Sequence, residues 1–402
     1  MKKILALALA FLMVFAVVGC EKPPVEPEAK DITIKVWVSQ DDQDITRELA
    51  DKFAADYPDN VTFEFGVVGE PDAIATYSED PDAAADVFTL PHDQLLAFVQ
   101  AGGLYAIDSP RADDIIARNG DGSIVAATLD GKLYAFPSTA DNGYFLYYDK
   151  SVLSEDDVKS LDKILEVCDE AGKKMFMNLD GNAWYVASFF FSAGCTLSLT
   201  DDGKQVCGWN DAKGLAAAEA MKAFCAHPAY LNGDDAVLTG GMGGTIAAGV
   251  SGTWNAEAII EALGDNYAAC KLPTFTMDGK QVQMSSFGGY KLFGVNSLID
   301  DEDKLAAALA FADFLTNEDS QLARFEARGY GPSNINAANA PAVKANIALA
   351  ALAEQSAFAT PQKDINNDTF WGAVGAFGTA MVNQDKTDLQ ELLDIMVEQV
   401  EA

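Results

Sequence analysis

The segment Ile32-Thr-Ile-Lys-Val-Trp-Val38 places Ile32, Ile34, Val36 and Val38 at every second position, the period of a strand with one buried face. Ile45, Leu49 and Phe53 then recur at four-residue steps, which predicts an amphipathic helix running to Tyr57. Pro58 stops it, because proline lacks the N–H and clashes with the preceding turn. Residues 61–68 alternate again. Strand, helix, strand with short links is a βαβ unit and implies a parallel sheet. Asp86-Val-Phe-Thr-Leu90 predicts another buried strand, and Leu95, Phe98 and Val99 a helix that ends at Gly102-Gly103.

A second α/β region follows. Residues 144–148 read as a strand and 158–171 as a helix, and the glycines at 240, 241, 243 and 244 punctuate helical stretches. Ala308, Phe311 and Leu315 keep helical spacing, as do Leu389, Leu393, Met396 and Val400 near the end of the chain. Ligands of such alternating folds sit at the carboxyl ends of strands, so the first place to look is the loop Ser39-Gln-Asp-Asp-Gln-Asp44.

The amino terminus carries a different pattern. Lys2-Lys3, an apolar run over residues 4–18 and Gly19-Cys20 form an export signal whose cut site resembles a bacterial lipobox. The run is shorter than the ~20 residues a spanning helix needs. Cleavage before Cys20 would leave that cysteine as the lipidated residue, and 20–30, with three prolines, as a tether. The expected product is an exported protein on the extracytoplasmic face of the cell membrane.

Composition narrows the partners. The chain holds 61 Asp+Glu against 27 Lys+Arg, net −34, and loss of Lys2 and Lys3 makes it two units more negative. A nucleic-acid partner is disfavoured, because phosphate contacts need basic clusters, and a neutral or cationic ligand suits the field better. Beyond Cys20 the cysteines are Cys168, Cys195, Cys207, Cys225 and Cys270, without a Cys-x-x-Cys pair. Cys195 and Cys207 flank a hairpin-like stretch, and whether they pair stays open. The two histidines, His92 and His227, do not make a zinc site. Asp364-Ile-Asn-Asn-Asp368 lacks the glycine and terminal glutamate of an EF-hand loop. No phosphate loop or nucleophile elbow is present, and no cofactor or metal is expected.

Asp86-Val-Phe-Thr-Leu-Pro-His-Asp93, Gly102-Gly-Leu-Tyr-Ala-Ile107, Gly131-Lys-Leu-Tyr-Ala-Phe-Pro137, Gly252-Thr-Trp254, Leu272-Pro-Thr-Phe275 and Phe370-Trp371 occur in this order. Together they resemble the maltose/maltodextrin-binding proteins, substrate-binding lipoproteins of sugar ABC importers. The resemblance covers nearly the whole mature chain. It implies an α/β, two-lobed periplasmic-binding-protein-like fold with a hinge and an interlobe ligand cleft. It places residues 31–140 and 274–325 in an N-lobe and 141–273 and 326–402 in a C-lobe. The crossings then fall near 140–142, 270–273 and 324–330. It further implies a monomer without enzymatic activity that closes on an α-glucan and delivers it to a membrane permease.

A sugar offers an apolar C–H face and a rim of hydroxyls, matched by aromatic rings and by carboxylates or amides. The resemblance puts Trp184, Trp254 and Trp371 at the faces. It puts Asp41, Asp93 and Asp141 at the rim, with Asn182 and Tyr185 beside Trp184; Asp42 or Asp44 could stand in for Asp41. The chain departs from the enteric maltose binder at Asp42 (lysine there), Leu90 (tryptophan), Gln94 (arginine) and Gly375 or its neighbours (arginine), which leaves the exact sugar open. A different oligosaccharide, a polyamine held by carboxylates and aromatics, and a glycoside hydrolase using two cleft carboxylates are the alternatives.

Overall fold

The computed structural model describes residues 29–200, 204–362 and 365–402; the signal segment, Cys20 and most of the tether lie outside them. Two sheets, each with its own apolar core, form two lobes. In the first lobe, β1 (Asp31–Val38) pairs in parallel with β2 (Asn60–Val67) and β3 (Val87–Pro91). A long strand, Ser286–Val295, runs antiparallel to β3, and strand Ala135–Gly143 antiparallel to that. Helix α1 (Gln43–Asp56) makes the βαβ crossover and stops where Tyr57 turns extended before Pro58. Ile32, Ile34, Val36 and Val38 are all buried, as the alternation predicts. Phe311, from helix Glu302–Leu315, fills the space above β2 and α1, 4.5 Å from the Phe63 ring and 5.2 Å from Phe53.

The second sheet runs Tyr230–Leu231, Lys174–Phe176, Ile246–Ser251, Phe145–Asp149, Tyr267–Cys270. Helices Ala183–Ser192, Phe370–Val382 and Leu389–Val400 cover one side, around Trp209 stacked 4.5 Å from Phe190. The glycine-rich stretch after Gly240 joins a helix to strand Ile246–Ser251 rather than separating two helices. Cys168, Cys195, Cys207 and Cys225 are buried free thiols of this lobe, and Cys270 a half-buried one. In the hairpin, Cys207 lies opposite Leu197, so Cys195 is not its cross-strand partner. Burial pushes the Cys168 thiol up to about 11 and the other four to about 12.

The first crossing lies within strand Ala135–Gly143: Phe136 belongs to the first core and Tyr144 to the second. The other two move relative to expectation. Phe275, Met284 and Phe287 are buried in the second core, so residues 274–287 belong with that lobe. The chain crosses at Gly288–Gly289 instead of 270–273. There the backbone passes so close to His92 that a Cβ on Gly289 would lie 2.6 Å from the ring. Likewise, Ser333 and Asn334 still bond Asn119, Gly120 and Gln321 of the first lobe, and Ala348 is the next residue in a second-lobe core. The last crossing therefore follows residue 334 rather than ending at 330. The two shifts have separate causes: residues 274–283 form a hairpin of their own whose Phe275 joins the second core, whereas Gly331 and Pro332 pair with Ala140 and Thr139 of the first crossing strand.

Phe311→Ala removes a fully buried ring from the first core and is expected to cost about 3–5 kcal/mol. The shift of the urea unfolding midpoint measures it.

Candidate ligand cleft

The carboxyl ends of β1, β2 and β3 open toward the second lobe, and charge collects there. Asp42 follows β1 and Glu70 follows β2; Lys291 lies opposite Pro91 at the end of β3; Arg324 and Arg328 come from helix Glu318–Arg328. Lys291 Nζ lies 3.2 Å from Glu70 Oε1, and Arg328 Nε 3.6 Å from Asp42 Oδ1. Both cations also sit over the Tyr330 ring, at 5.0 and 5.5 Å. Burial and the neighbouring Glu70 raise the Asp42 carboxyl above the usual carboxylate range, against the pull of Arg324. Burial would raise Glu70 too, but Lys291 holds it below its ordinary value. Asp41, the residue expected to contact sugar here, is largely exposed, and Arg328 reaches it at 3.5 Å. The buried acid of the loop is Asp42. The same Arg328 reaches Glu257 of the second lobe at 3.9 Å, so one guanidinium touches both sides of the cleft. Sequence reasoning missed Glu70, Lys291, Arg324 and Arg328, since no spacing joins residues so far apart.

Asp93 stands in the turn after β3 and is buried, with Oδ1 lacking any partner among the described residues. Burial pushes its carboxyl up to about 7, the Gln362 side chain working in the opposite direction. Its neighbour His92 is structural: Nδ1 accepts the Tyr290 N–H, and burial lowers the imidazole to about 4.

The three tryptophans line the second lobe, each half-buried. Trp184 is flanked by Tyr144 at 4.6 Å and by Trp254 at 5.8 Å, and Trp371 by Phe287 at 6.0 Å. Trp254 folds back over Gly252, where any Cβ would collide with the ring. Every indole N–H is already engaged. Trp184 donates to Gln362 Oε1 (2.8 Å), Trp254 to Asp235 Oδ2 (2.9 Å) and Trp371 to Asn367 Oδ1 (2.7 Å). What these rings have left to offer a ligand is their faces.

Asp141 occupies the first crossing strand, and its Oδ2 accepts from Thr253 Oγ1 (2.8 Å) and the Gly331 N–H (2.7 Å). That oxygen serves the hinge. Tyr185 is buried and packs its ring 5.3 Å from Trp184; Asn182 is half-buried at the start of that helix. The departures are structural. Leu90 lies inside the first core, Gln94 bonds the Pro71 carbonyl and the Ile74 N–H, and a Cβ on Gly375 would lie 2.7 Å from the Gly181 carbonyl oxygen.

Two lobes joined by crossing strands, with a cleft of facing charge and aromatic rings, define a binding protein of the solute-receptor class. Residues 48–351 match the family described as bacterial extracellular solute-binding protein. The chain is 30% identical over 331 residues to the galactooligosaccharide-binding protein of Bacillus subtilis, covering 77% of this chain and 74% of that one. A structure determined with acarbose superposes with a TM-score of 0.83 at 29% identity, over 92% of this chain and 99% of the other. The maltodextrin-binding protein of L. casei, solved without ligand, gives 0.77 at 26%, over 93% and 100%. The chain belongs to the bacterial extracellular solute-binding protein family, and its two-lobed α/β fold is that of the maltodextrin-binding proteins. Among the described residues no helix is long and apolar enough to cross a membrane.

The raised Asp93 carboxyl makes a signed prediction. Between the unfolded value near 4 and the folded value of about 7, the native state holds a proton that the unfolded chain has lost, so stability falls as pH rises. Asp93→Asn is expected to melt above the parent at pH 8, the difference vanishing below about pH 4. Thermal melts at pH 4, 6 and 8 test this.

Proposed function

We propose that this protein is the substrate receptor of an ABC importer for α-glucan oligosaccharides of the maltodextrin type. On this reading it is anchored through a lipid on Cys20 and acts by lobe closure without chemical turnover. The observation that carries the reading is the second lobe's wall of three tryptophans whose N–H groups are already engaged, facing Asp93 with a free, buried Oδ1. Rings that offer only faces suit the C–H side of pyranose units, and a buried acceptor suits a hydroxyl. Asp41, Asp93, Asn182 and Tyr185 are proposed to contribute around this wall. Asp141 is proposed to act mainly by tying the crossing strand to Thr253, the residue before Trp254.

Three acids at the first-lobe edge (Asp41, Asp42, Glu70) face three bases (Lys291, Arg324, Arg328). These first-lobe acids are therefore engaged by cations of the protein itself, which leaves them less available to a polyamine. A galactooligosaccharide is the second reading, favoured by the similarity to the Bacillus subtilis protein that bears that name.

Isothermal titration of the fragment starting at Asp31 with maltose, maltotriose, maltohexaose and galactotetraose decides between them. The α-glucan reading expects affinity to rise with maltodextrin length and to fall about tenfold or more in Trp371→Ala, the loss of one stacked ring. Heat with galactotetraose alone would move the assignment to the second reading. For the anchor, metabolic labelling with an alkyne fatty acid should tag the full-length protein and leave Cys20→Ser untagged.

A further inference from the structure

Asn367 stands in the turn that leads into helix Phe370–Val382. The residues around it are tied to the second lobe. The Asn366 N–H donates to Gln205 Oε1 at 2.7 Å, the Thr369 hydroxyl donates to the Val400 carbonyl at 2.7 Å, and Phe370 is buried in the second core. The half-buried Asn367 side chain does something else. Its Oδ1 accepts the Trp371 indole N–H at 2.7 Å, and its Nδ2 donates to the Asp93 main-chain carbonyl at 3.3 Å. Asp93 belongs to the turn after β3 in the first lobe, so one amide holds a ring of one lobe and meets the backbone of the other.

We propose that Asn367 is a positioning residue that also completes closure of the cleft: its amide fixes the edge of the Trp371 ring and, from the same plane, docks on the first-lobe backbone at Asp93. This rests on the oligosaccharide reading above. Acceptor and donors share one rigid plane in a primary amide, so the direction of one bond constrains the other. The Trp371 bond lies within the second lobe and holds at any lobe orientation. The Asp93 bond joins the lobes and exists only where they stand as close as they do here. Closing on a sugar therefore forms the second bond at an amide whose orientation the first has already set, and little side-chain freedom is lost as the lobes meet. Because the bond forms after the ligand has entered, it acts on release and not on capture.

Arg328 meets Glu257 across the cleft in a different manner. That ion pair is 3.9 Å long and the Glu257 side chain is largely exposed, so salt screens it. An amide on a carbonyl carries no net charge, and its contribution is the same at low and high salt. Asp93 enters through its main chain, so the contact leaves the side-chain Oδ1 to a hydroxyl.

The test uses the chain from Asp31 to its end, which holds both lobes and all three crossings, 15N-labelled at tryptophan. Trp371→Phe assigns the Trp371 indole signal. Two quantities are read: the position of that signal without ligand, by NMR, and the release rate of maltotriose, by stopped-flow fluorescence at low and high salt. Asn367→Ala removes both bonds. It is expected to move the indole signal and to speed release about fivefold, the net worth of one neutral hydrogen bond, by the same factor at both salt levels. Asn367→Asp keeps an acceptor for the indole and removes the donor to the Asp93 carbonyl. It is expected to leave the indole signal hydrogen-bonded and to speed release at least as much. Asn367→Ser, too short to reach either partner, replaces the alanine variant if that does not fold. An unmoved indole signal in Asn367→Ala overturns the proposal, and so does unchanged release in Asn367→Asp. A merely structural asparagine would lower the melting temperature in both variants without separating the indole signal from the release rate. If the parent protein binds no α-glucan, the functional reading fails separately: the ligand-free indole signal still decides the platform half, and galactotetraose takes the place of maltotriose in the release measurement.

Discussion

One carboxylate oxygen holds the two lobes in register. Asp141 Oδ2 accepts the Thr253 hydroxyl from the second lobe and the Gly331 N–H from the segment returning along the first, while Asp141 itself lies in the first crossing strand. Three stretches of chain thus meet at a single buried acceptor. Hydrogen bonds to a charged group in a dry setting are among the stronger polar contacts a protein makes. A second crossing strand runs alongside, with Gly288 and Gly289 where it changes lobes. Any rotation of one lobe against the other would leave a point so tied nearly in place and displace the walls of the cleft instead.

The two walls of the cleft divide the chemistry. The first lobe contributes charge, most of it satisfied internally: Lys291 with Glu70, and Arg328 with Asp42 and Asp41. The second contributes rings whose polar edges are consumed by Gln362, Asp235 and Asn367. Ion pairs of this kind do little for net stability once desolvation is counted. What they supply is a fixed, nearly neutral floor. A ligand without charge then meets few groups that must give up an existing partner, and Asp93 Oδ1 is one acceptor left without one.

Much of the frame was legible in the sequence because periodicity reports burial directly. The alternation over Ile32–Val38 and the stripe Ile45, Leu49, Phe53 are both buried faces of the elements they predicted. The tryptophans were legible through motif order and fall on one wall. The lobe boundaries were less so. Residues 274–287 and 326–334 carry no local sign of which core they join, and Phe275 and Ser333 decide it by tertiary contact. At the first loop the choice among Asp41, Asp42 and Asp44 depended on which side chain turns inward, which spacing alone does not encode. Glu70, Lys291 and Arg328 come together from three distant segments, and Gln362 reads as one polar residue among many in a loop.

The cysteines give the molecule an unplanned clock. All five that follow Cys20 lie in the second lobe, four of them buried and Cys270 half-buried, and burial disfavours the thiolate at each. Alkylation of the four buried thiols therefore proceeds mainly through molecules whose second lobe has come apart, while opening of the first lobe, which carries no thiol, stays silent. The rate at which those four thiols are modified, separated from that at Cys270, counts excursions of one half of the protein alone. Any ligand that clamps the halves together should register as a slowing of that count.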